Sequence, residues 1–266
     1  MRKRWLLAAG GMALSLVVAA GPLAGGQTTE SAAEEVARQK QLILETSGIL
    51  PGELFVVQGE ELFFQQRGPN GKSLADCYWG GTGEFGLEGA YARMPRFFED
   101  TQRVEDLDSR IRSCMITVLG LRPEEIKRSE VVAIAAFVAS RSNGHPLQVS
   151  LEHPRVRELY QVGEALWYRR AGSMDFSCAA CHDTNQRKRI RLQTLAAVKE
   201  DAVASHWPAY RFSNDQLWTM EDRIQGCYRQ VRVDAPDLYS DAIIALEVYL
   251  SYLANGTPVD APGFVR

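Results

Sequence analysis

The chain has 266 residues, 45% hydrophobic and 24% charged, with 30 Lys+Arg against 33 Asp+Glu and a formal net charge of −3. That length holds one large domain or two modest ones, and the composition is ordinary for a soluble globular protein. The acidic balance excludes a strongly basic nucleic-acid-binding surface as the default reading.

The first element is a leader. Met1-Arg2-Lys3-Arg4 precedes an apolar run from Trp5 to Ala20, and small residues continue through Gly26. A basic start, an apolar middle and a small-residue end make a secretory signal peptide, so residues 1–26 are expected to be removed by cleavage between Ala20 and Gln27. An uncleaved anchor is the alternative, because the run approaches spanning length. No later stretch is apolar enough to cross a bilayer. The mature chain, stripped of Arg2, Lys3 and Arg4, is expected as a mildly acidic periplasmic protein.

Beyond the leader the chain repeats itself. Gly59-Glu60-Glu61-Leu62-Phe63 parallels Gly163-Glu164-Ala165-Leu166-Trp167. Leu107-Asp108-Ser109-Arg110-Ile111-Arg112-Ser113-Cys114 parallels Met220-Glu221-Asp222-Arg223-Ile224-Gln225-Gly226-Cys227, and Asn143-Gly144-His145-Pro146 parallels Asn255-Gly256-Thr257-Pro258. The offset drifts only from 104 to 113, so a few short insertions account for it. These matches define two tandem copies, 50–147 and 155–266, joined near Gln148 to Pro154.

In the second copy, apolar residues recur at helical period over Arg155–Arg170, Arg191–Ala204, Asn214–Arg232 and Ser240–Ala254. Asn255-Gly256, with Pro258 beyond, stops the last of these. No alternating β-branched run competes, so the fold is expected to be mainly α.

Five cysteines carry the chemistry: Cys77, Cys114, Cys178, Cys181 and Cys227. Cys178-Ala179-Ala180-Cys181-His182 is the C-x-x-C-H attachment signature of c-type haem. Two thiols one helical turn apart reach two vinyl groups on one edge of the macrocycle, and the adjacent imidazole then lies under the iron. A redox C-x-x-C of thioredoxin type would open a helix after a strand, whereas Gly172–Ser177 reads as a loop. Two tandem cytochrome c-like domains follow. In the first, Cys77-Tyr78-Trp79-Gly80-Gly81 lacks the second cysteine and the histidine, so that domain is expected to hold no haem. One covalently bound c-type haem per chain is the expectation. Cys77 and Cys114 then face one emptied pocket, and an oxidising compartment should join them as a disulfide. Two separate buried thiols are the alternative.

The second axial ligand has four candidates: Met220, Cys227 and, less plausibly, Met174 or His206. Met220 and Cys227 share a helical face, so period alone does not separate them. The repeat favours Cys227, whose counterpart is Cys114, over Met220, which faces Leu107. Arg223, Arg229 and Arg232 lie near Cys227 in sequence and favour a thiolate; a buried inert cysteine beside solvated arginines is the plainer reading. A thiolate stabilises ferric iron and lowers the haem potential. That suits a site where the thiol itself reacts better than a general electron carrier.

C-A-A-C-H at 178–182, R-I-Q-G-C-Y-R at 223–229 and the haem-less first copy together closely resemble SoxA, the larger cytochrome subunit of the SoxAX complex of sulfur oxidation. The resemblance covers essentially the whole mature chain, and the departure at Gly80 and Gly81 matches the single-haem form. It implies an L-cysteine S-thiosulfotransferase that joins thiosulfate oxidatively to a cysteine of the carrier protein SoxYZ. It further implies His182 and Cys227 as axial ligands, Cys227 as the active cysteine (a persulfide in the family), Arg223 as the substrate-binding arginine, and a SoxX-type cytochrome subunit as partner. The rival readings are an electron-transfer cytochrome with Met220 on the iron, a haem peroxidase, and a tetrathionate-forming thiosulfate dehydrogenase. The basic run Arg187-Lys188-Arg189-Ile190-Arg191 either steers an anion or acidic partner, or simply starts a solvated helix.

Overall fold

The computed structural model describes residues 32–190 and 193–265. The expected leader and Arg191 of the basic run lie outside them. A first helix, α1 (Ala32–Ser47), precedes two copies of one arrangement. The first copy is α2 (Pro51–Phe64), the hairpin β1–β2 (Arg96–Phe98, Arg103–Glu105), α3 (Leu107–Thr117) and α4 (Arg128–Ser140). The second is α5 (Pro154–Tyr168), the short α6 (Cys178–His182), hairpins β3–β4 (Arg189–Ile190, Gln193–Thr194) and β5–β6 (Ala209–Arg211, Gln216–Trp218), α7 (Met220–Gln230) and α8 (Asp241–Leu253). A last strand, β7 (Gly263–Val265), joins β5 in parallel. Among the described residues, no helix is long and apolar enough to cross a membrane.

The helix starts are written locally. Pro51 and Pro154 open α2 and α5, where a missing N–H costs nothing. Asp106 caps α3 by accepting from the Ser109 amide at 2.8 Å, and Thr219 makes the equivalent capping box with Asp222 on α7.

Two expected helices are corrected. Residues 191–204 are not a helix: β3 and β4 pair antiparallel, and turns follow in which Ala202 has φ +52°, a conformation no right-handed helix contains. The segment 214–232 becomes helical only at Met220, because Asp215 at φ +53° turns the chain and Gln216–Trp218 pair with Ala209–Arg211. Strands of two or three residues are too short to leave a period-2 signature, which is why the sequence showed none.

Within each copy the first and last helices cross backbone to backbone. A Cβ on Gly59 would lie 2.0 Å from the Ala133 carbonyl oxygen, and one on Gly163 would lie 2.0 Å from that of Ala245. No other residue fits either crossing. Packed above these points are Phe63 on Phe137 (centroids 5.2 Å) and Trp167 on Tyr249 (5.9 Å).

The two copies exchange hairpins. Phe97 and Val104 of the first hairpin pack on Leu159, Ile244 and Val248 of the second copy. Tyr210 and Leu217 of the other hairpin pack on Phe55, Val132 and Ala136 of the first. Two asparagines clasp the join in the same reciprocal way. Asn143 bonds the Ala261 backbone through both amide atoms (2.7 and 2.8 Å), and Asn255 does the same to Val149 (2.9 and 2.8 Å).

The starts of α3 and α7 meet at a buried, acid-rich seam. Arg128 of α4 donates there to Asp108 (2.7 Å), Asp222 (2.8 Å) and Thr219 (2.6 Å). At 4.0 Å it is too far from fully buried Glu221 to hold that carboxyl ionised. Burial, then Asp106, Asp108 and Glu247, push Glu221 up to about 12. A folded value above the unfolded one makes the folded chain bind an extra proton at neutral pH. This contribution to stability is therefore complete below about pH 4 and is lost as pH rises from there toward the folded value. Glu221→Gln keeps an acceptor for the Tyr239 amide and removes that dependence. The variant is expected to exceed wild type in stability by about 1–3 kcal/mol at pH 7, the gap closing toward pH 4, as read by urea unfolding across that range.

Candidate haem site

α5 and α6 build one wall. Trp167, 4% exposed, donates its indole N–H to Asp183 (3.0 Å), and its ring lies 5.5 Å from that of His182. Ser177 caps α6 by accepting from the Ala180 amide (3.0 Å), so a helical turn begins at Cys178 and brings Cys178 and Cys181 to one side. His182 donates from Nδ1 to the Ala196 carbonyl at 2.9 Å. That bond fixes the ring and leaves Nε2 as the nitrogen available to a metal.

α7 supplies the opposite wall with Cys227. This sulfur lies within hydrogen-bond reach of His182. Burial works against its ionisation, but Arg223, His182 and Arg211 outweigh that and hold the thiol down at about 7. Cys178 is pushed up to about 12 by burial and by Cys227 opposite, and Cys181 moves the same way for the same reasons. Two attachment thiols, an oriented imidazole and a facing sulfur make a donor set that fits a c-type haem with thiolate ligation. They would hold it as follows: Cys178 and Cys181 through thioethers, His182 and Cys227 on the iron.

The other ligand candidates lie elsewhere. Met174 is exposed. His206 packs beneath Gly263, and burial, then Lys40, push it down to about 4. Met220 is buried in the apolar core at the start of α7, two helical turns before Cys227. Of the arginines near Cys227 in sequence, Arg223 acts on it most strongly, whereas Arg229 and Arg232 are exposed and Arg229 bonds Gln225 (3.3 Å). Within the basic run, Arg187 is tied to Asp201 at 2.6 Å, and Asp201 in turn accepts from the Ala197 amide. Arg187 therefore braces the turn after the hairpin. Arg211, buried on β5, is the residue the sequence reading missed. Its signal was the repeat, in which Phe98 holds the same hairpin position.

The first copy is closed to the same use. The position matching His182 is Gly81, where a Cβ would lie 2.5 Å from the Gly86 carbonyl oxygen and 2.6 Å from that of Glu88. No imidazole can leave the backbone there. Trp79, wholly buried, packs 5.6 Å from Phe63 and donates to the Leu74 carbonyl (3.0 Å). Cys77 and Cys114 form the expected disulfide, with Cα atoms 5.9 Å apart, inside the range such bridges adopt.

The paired helix crossings, the capped C-x-x-C-H turn and the facing α7 cysteine define a tandem cytochrome c-type protein. A family model described as the SoxA/TsdA cytochrome c domain matches residues 58–147 and 162–259, and the chain belongs to that family. It is 49% identical to an L-cysteine S-thiosulfotransferase subunit SoxA of Hydrogenobacter thermophilus over 272 aligned residues, covering 100% of each chain. It is 39% identical to a protein of the same name from Hydrogenophilus thermoluteolus, covering 81% of this chain and 83% of the other. Among solved structures, SoxXA from P. pantotrophus matches with a TM-score of 0.75 at 24% identity, over 86% of this chain and 84% of that one. That match supports the fold.

The disulfide closes a loop of 37 residues in a copy whose pocket has no cofactor anchor. Replacing Cys77 and Cys114 by Ala should lower stability by about 3–4 kcal/mol, read as a fall in the urea midpoint. Unreduced wild type, unfolded in urea, should leave both thiols unalkylated.

Proposed function

We propose that the chain is the haem subunit of a periplasmic L-cysteine S-thiosulfotransferase. The enzyme joins thiosulfate to a cysteine of a SoxYZ-type carrier, together with a SoxX-type cytochrome partner. The observation that carries this reading is Cys227 set opposite His182 with Arg223 one helical turn before it. Arg223 has a buried Nη1 with no hydrogen-bond partner among the described residues. In the overall reaction the carrier S–H bond breaks and an S–S bond forms between carrier sulfur and the sulfane sulfur of thiosulfate. One proton goes to solvent and two electrons go to the cytochrome partner. When bound, the haem would supply a one-electron acceptor beside the sulfur at which the substrate is held. Cys227 presents that sulfur, and Arg223 holds the sulfonate end of the substrate through a planar fork that an ammonium cannot copy. The proton on His182 Nδ1, held by Ala196, keeps Nε2 free for iron.

One haem per chain is part of this proposal, because only one copy carries the attachment cysteines and the imidazole. A pyridine haemochrome titration should give one haem per chain in wild type and none in the Cys178→Ala, Cys181→Ala double variant.

The central test uses Cys227 and Arg223 together. Cys227→Ala should abolish conjugation and change the low-spin ferric resonance; an unchanged resonance would put another ligand, Met220 first, on the iron. Arg223→Lys should keep the resonance and lose about 2–3 kcal/mol of transition-state stabilisation, a rate reduction of roughly 30- to 150-fold. Tetrathionate formed without any carrier would assign the chain to the thiosulfate dehydrogenase reading instead.

A further inference from the structure

The two copies allow the reactive corner to be compared with a version of itself that performs no chemistry. The hairpins match in register residue for residue. Each follows a cis X-Pro bond (Met94-Pro95 and Trp207-Pro208), and each turns at a non-glycine residue of positive φ, Gln102 at 54° and Asp215 at 53°. Phe98 pairs with Arg103 where Arg211 pairs with Gln216. The arginine one turn before the helix cysteine is Arg110 in the first copy and Arg223 in the second.

Arg110 is a finished structural arginine. It is fully buried, donates to Asp100 (2.7 and 2.9 Å), to Glu105 (3.2 Å) and to the Tyr78 carbonyl, and lies 4.0 Å over the Phe98 ring. In the second copy every one of those side chains has changed. Asp100 becomes Ser213, Glu105 becomes Trp218 and Phe98 becomes Arg211. Three positions that carry two negative charges in one copy carry one positive charge in the other.

The replacements are coupled. In the first copy Glu105 accepts from Ser113 at 2.5 Å; in the second, Trp218 lies against Gly226, where a Cβ would meet its ring at 2.9 Å. Trp218 therefore sits against the residue preceding Cys227. Arg211 lies over its ring at 4.5 Å and bonds Ser213 at 3.4 Å. In the first copy Arg110 lies over the ring of Phe98, and Arg223 and Arg211 hold those same two positions in the second, so the repeat sets the two guanidinium groups side by side, one helical turn before Cys227.

We propose that Arg211 is a second substrate-binding residue, which with Arg223 forms a cradle for a doubly charged sulfur oxyanion beside Cys227. The second copy has exchanged its internal carboxylates for an external dianion, and Arg223 Nη1, buried without a partner among the described residues, is one of the donors left for it. This rests on the thiosulfate reading above for the identity of the anion, while the site itself is defined by its charge.

The test uses the haem-loaded protein with its cytochrome partner, and inorganic sulfate as the probe in a calorimetric titration. Methanesulfonate serves as the singly charged control. Wild type should bind sulfate more tightly than methanesulfonate. Arg211→Gln should weaken sulfate binding about 10- to 100-fold, lose most of that preference, and raise KM for thiosulfate more than it lowers kcat. Ser213→Asp restores the acid of the first copy on an exposed turn and keeps Arg211 in the chain, now facing a carboxylate in place of a hydroxyl; it should weaken sulfate binding in the same direction. Should Arg211→Gln fail to fold, Ser213→Asp carries the test alone. Sulfate affinity within twofold of wild type in Ser213→Asp, and in Arg211→Gln where it folds, would overturn the cradle. So would a wild-type protein that binds neither anion. A wild type that binds sulfate through both arginines, yet conjugates no thiosulfate to any carrier thiol, leaves the cradle standing and removes the enzyme reading instead.

Discussion

The structure depends on two points where helix backbones touch. Gly163 presses on the Ala245 carbonyl and Gly59 on that of Ala133, each leaving no room for a Cβ. A crossing that close fixes the angle and separation of the first and last helices of each copy more tightly than side-chain packing alone. Trp167 then stands on Tyr249, and from there it fixes the haem-attachment turn through Asp183 and lies beside His182. The chain of consequence runs from a hydrogen-only side chain on α5 to the orientation of the imidazole that directly follows the attachment cysteines.

The second constraint is that neither copy closes its own core. Each hairpin buries its apolar residues on the outer helices of the other copy, Phe97 and Val104 one way, Tyr210 and Leu217 the other. Exchange of this kind explains why a copy that lacks the C-x-x-C-H motif persists. The first copy provides the platform under β5 and β6, and those strands carry Arg211 and lead directly into the helix of Arg223 and Cys227. Its own interior is held by Trp79, the Cys77–Cys114 bridge and the fully paired Arg110.

Much of this was legible in the sequence, and for definite reasons. C-x-x-C-H is a covalent requirement, so it survives as a literal string. The repeat survives because caps, glycine crossings and the helix cysteine each demand one or two residue types at fixed spacing. From it came the emptied pocket, the disulfide and the preference for Cys227 over Met220. The hairpins were not legible, because two- and three-residue strands show no period, the first turn rests on Gln102, and the turn residues Ser213-Asn214-Asp215 of the second also read as the start of a helix. The role of Arg187 was equally hidden: an arginine in a basic run looks solvated until Asp201 is seen beside it. Arg211 was missed for a different reason. Attention to charges near Cys227 in sequence picked out Arg223, Arg229 and Arg232, while a further arginine whose charge acts on the thiol comes from a strand sixteen positions earlier.

That displacement shows how the two copies divide stability from chemistry. A buried arginine contributes most to a fold when every donor is paired, and leaving a donor unpaired costs about 1–3 kcal/mol. The first copy satisfies Arg110 with two carboxylates and a carbonyl, and its corner is inert. The second keeps the same backbone, caps and crossing but withdraws both carboxylates, leaving a buried donor on Arg223 and a second guanidinium close by. Such a corner is unfavourable as structure, since like charges repel and, among the described residues, Arg223 Nη1 has no acceptor. The unchanged architecture around it makes that cost tolerable. The residues that depart from the stable pattern, Arg211, Ser213, Trp218 and Gly226, are therefore the ones whose presence the fold does not explain.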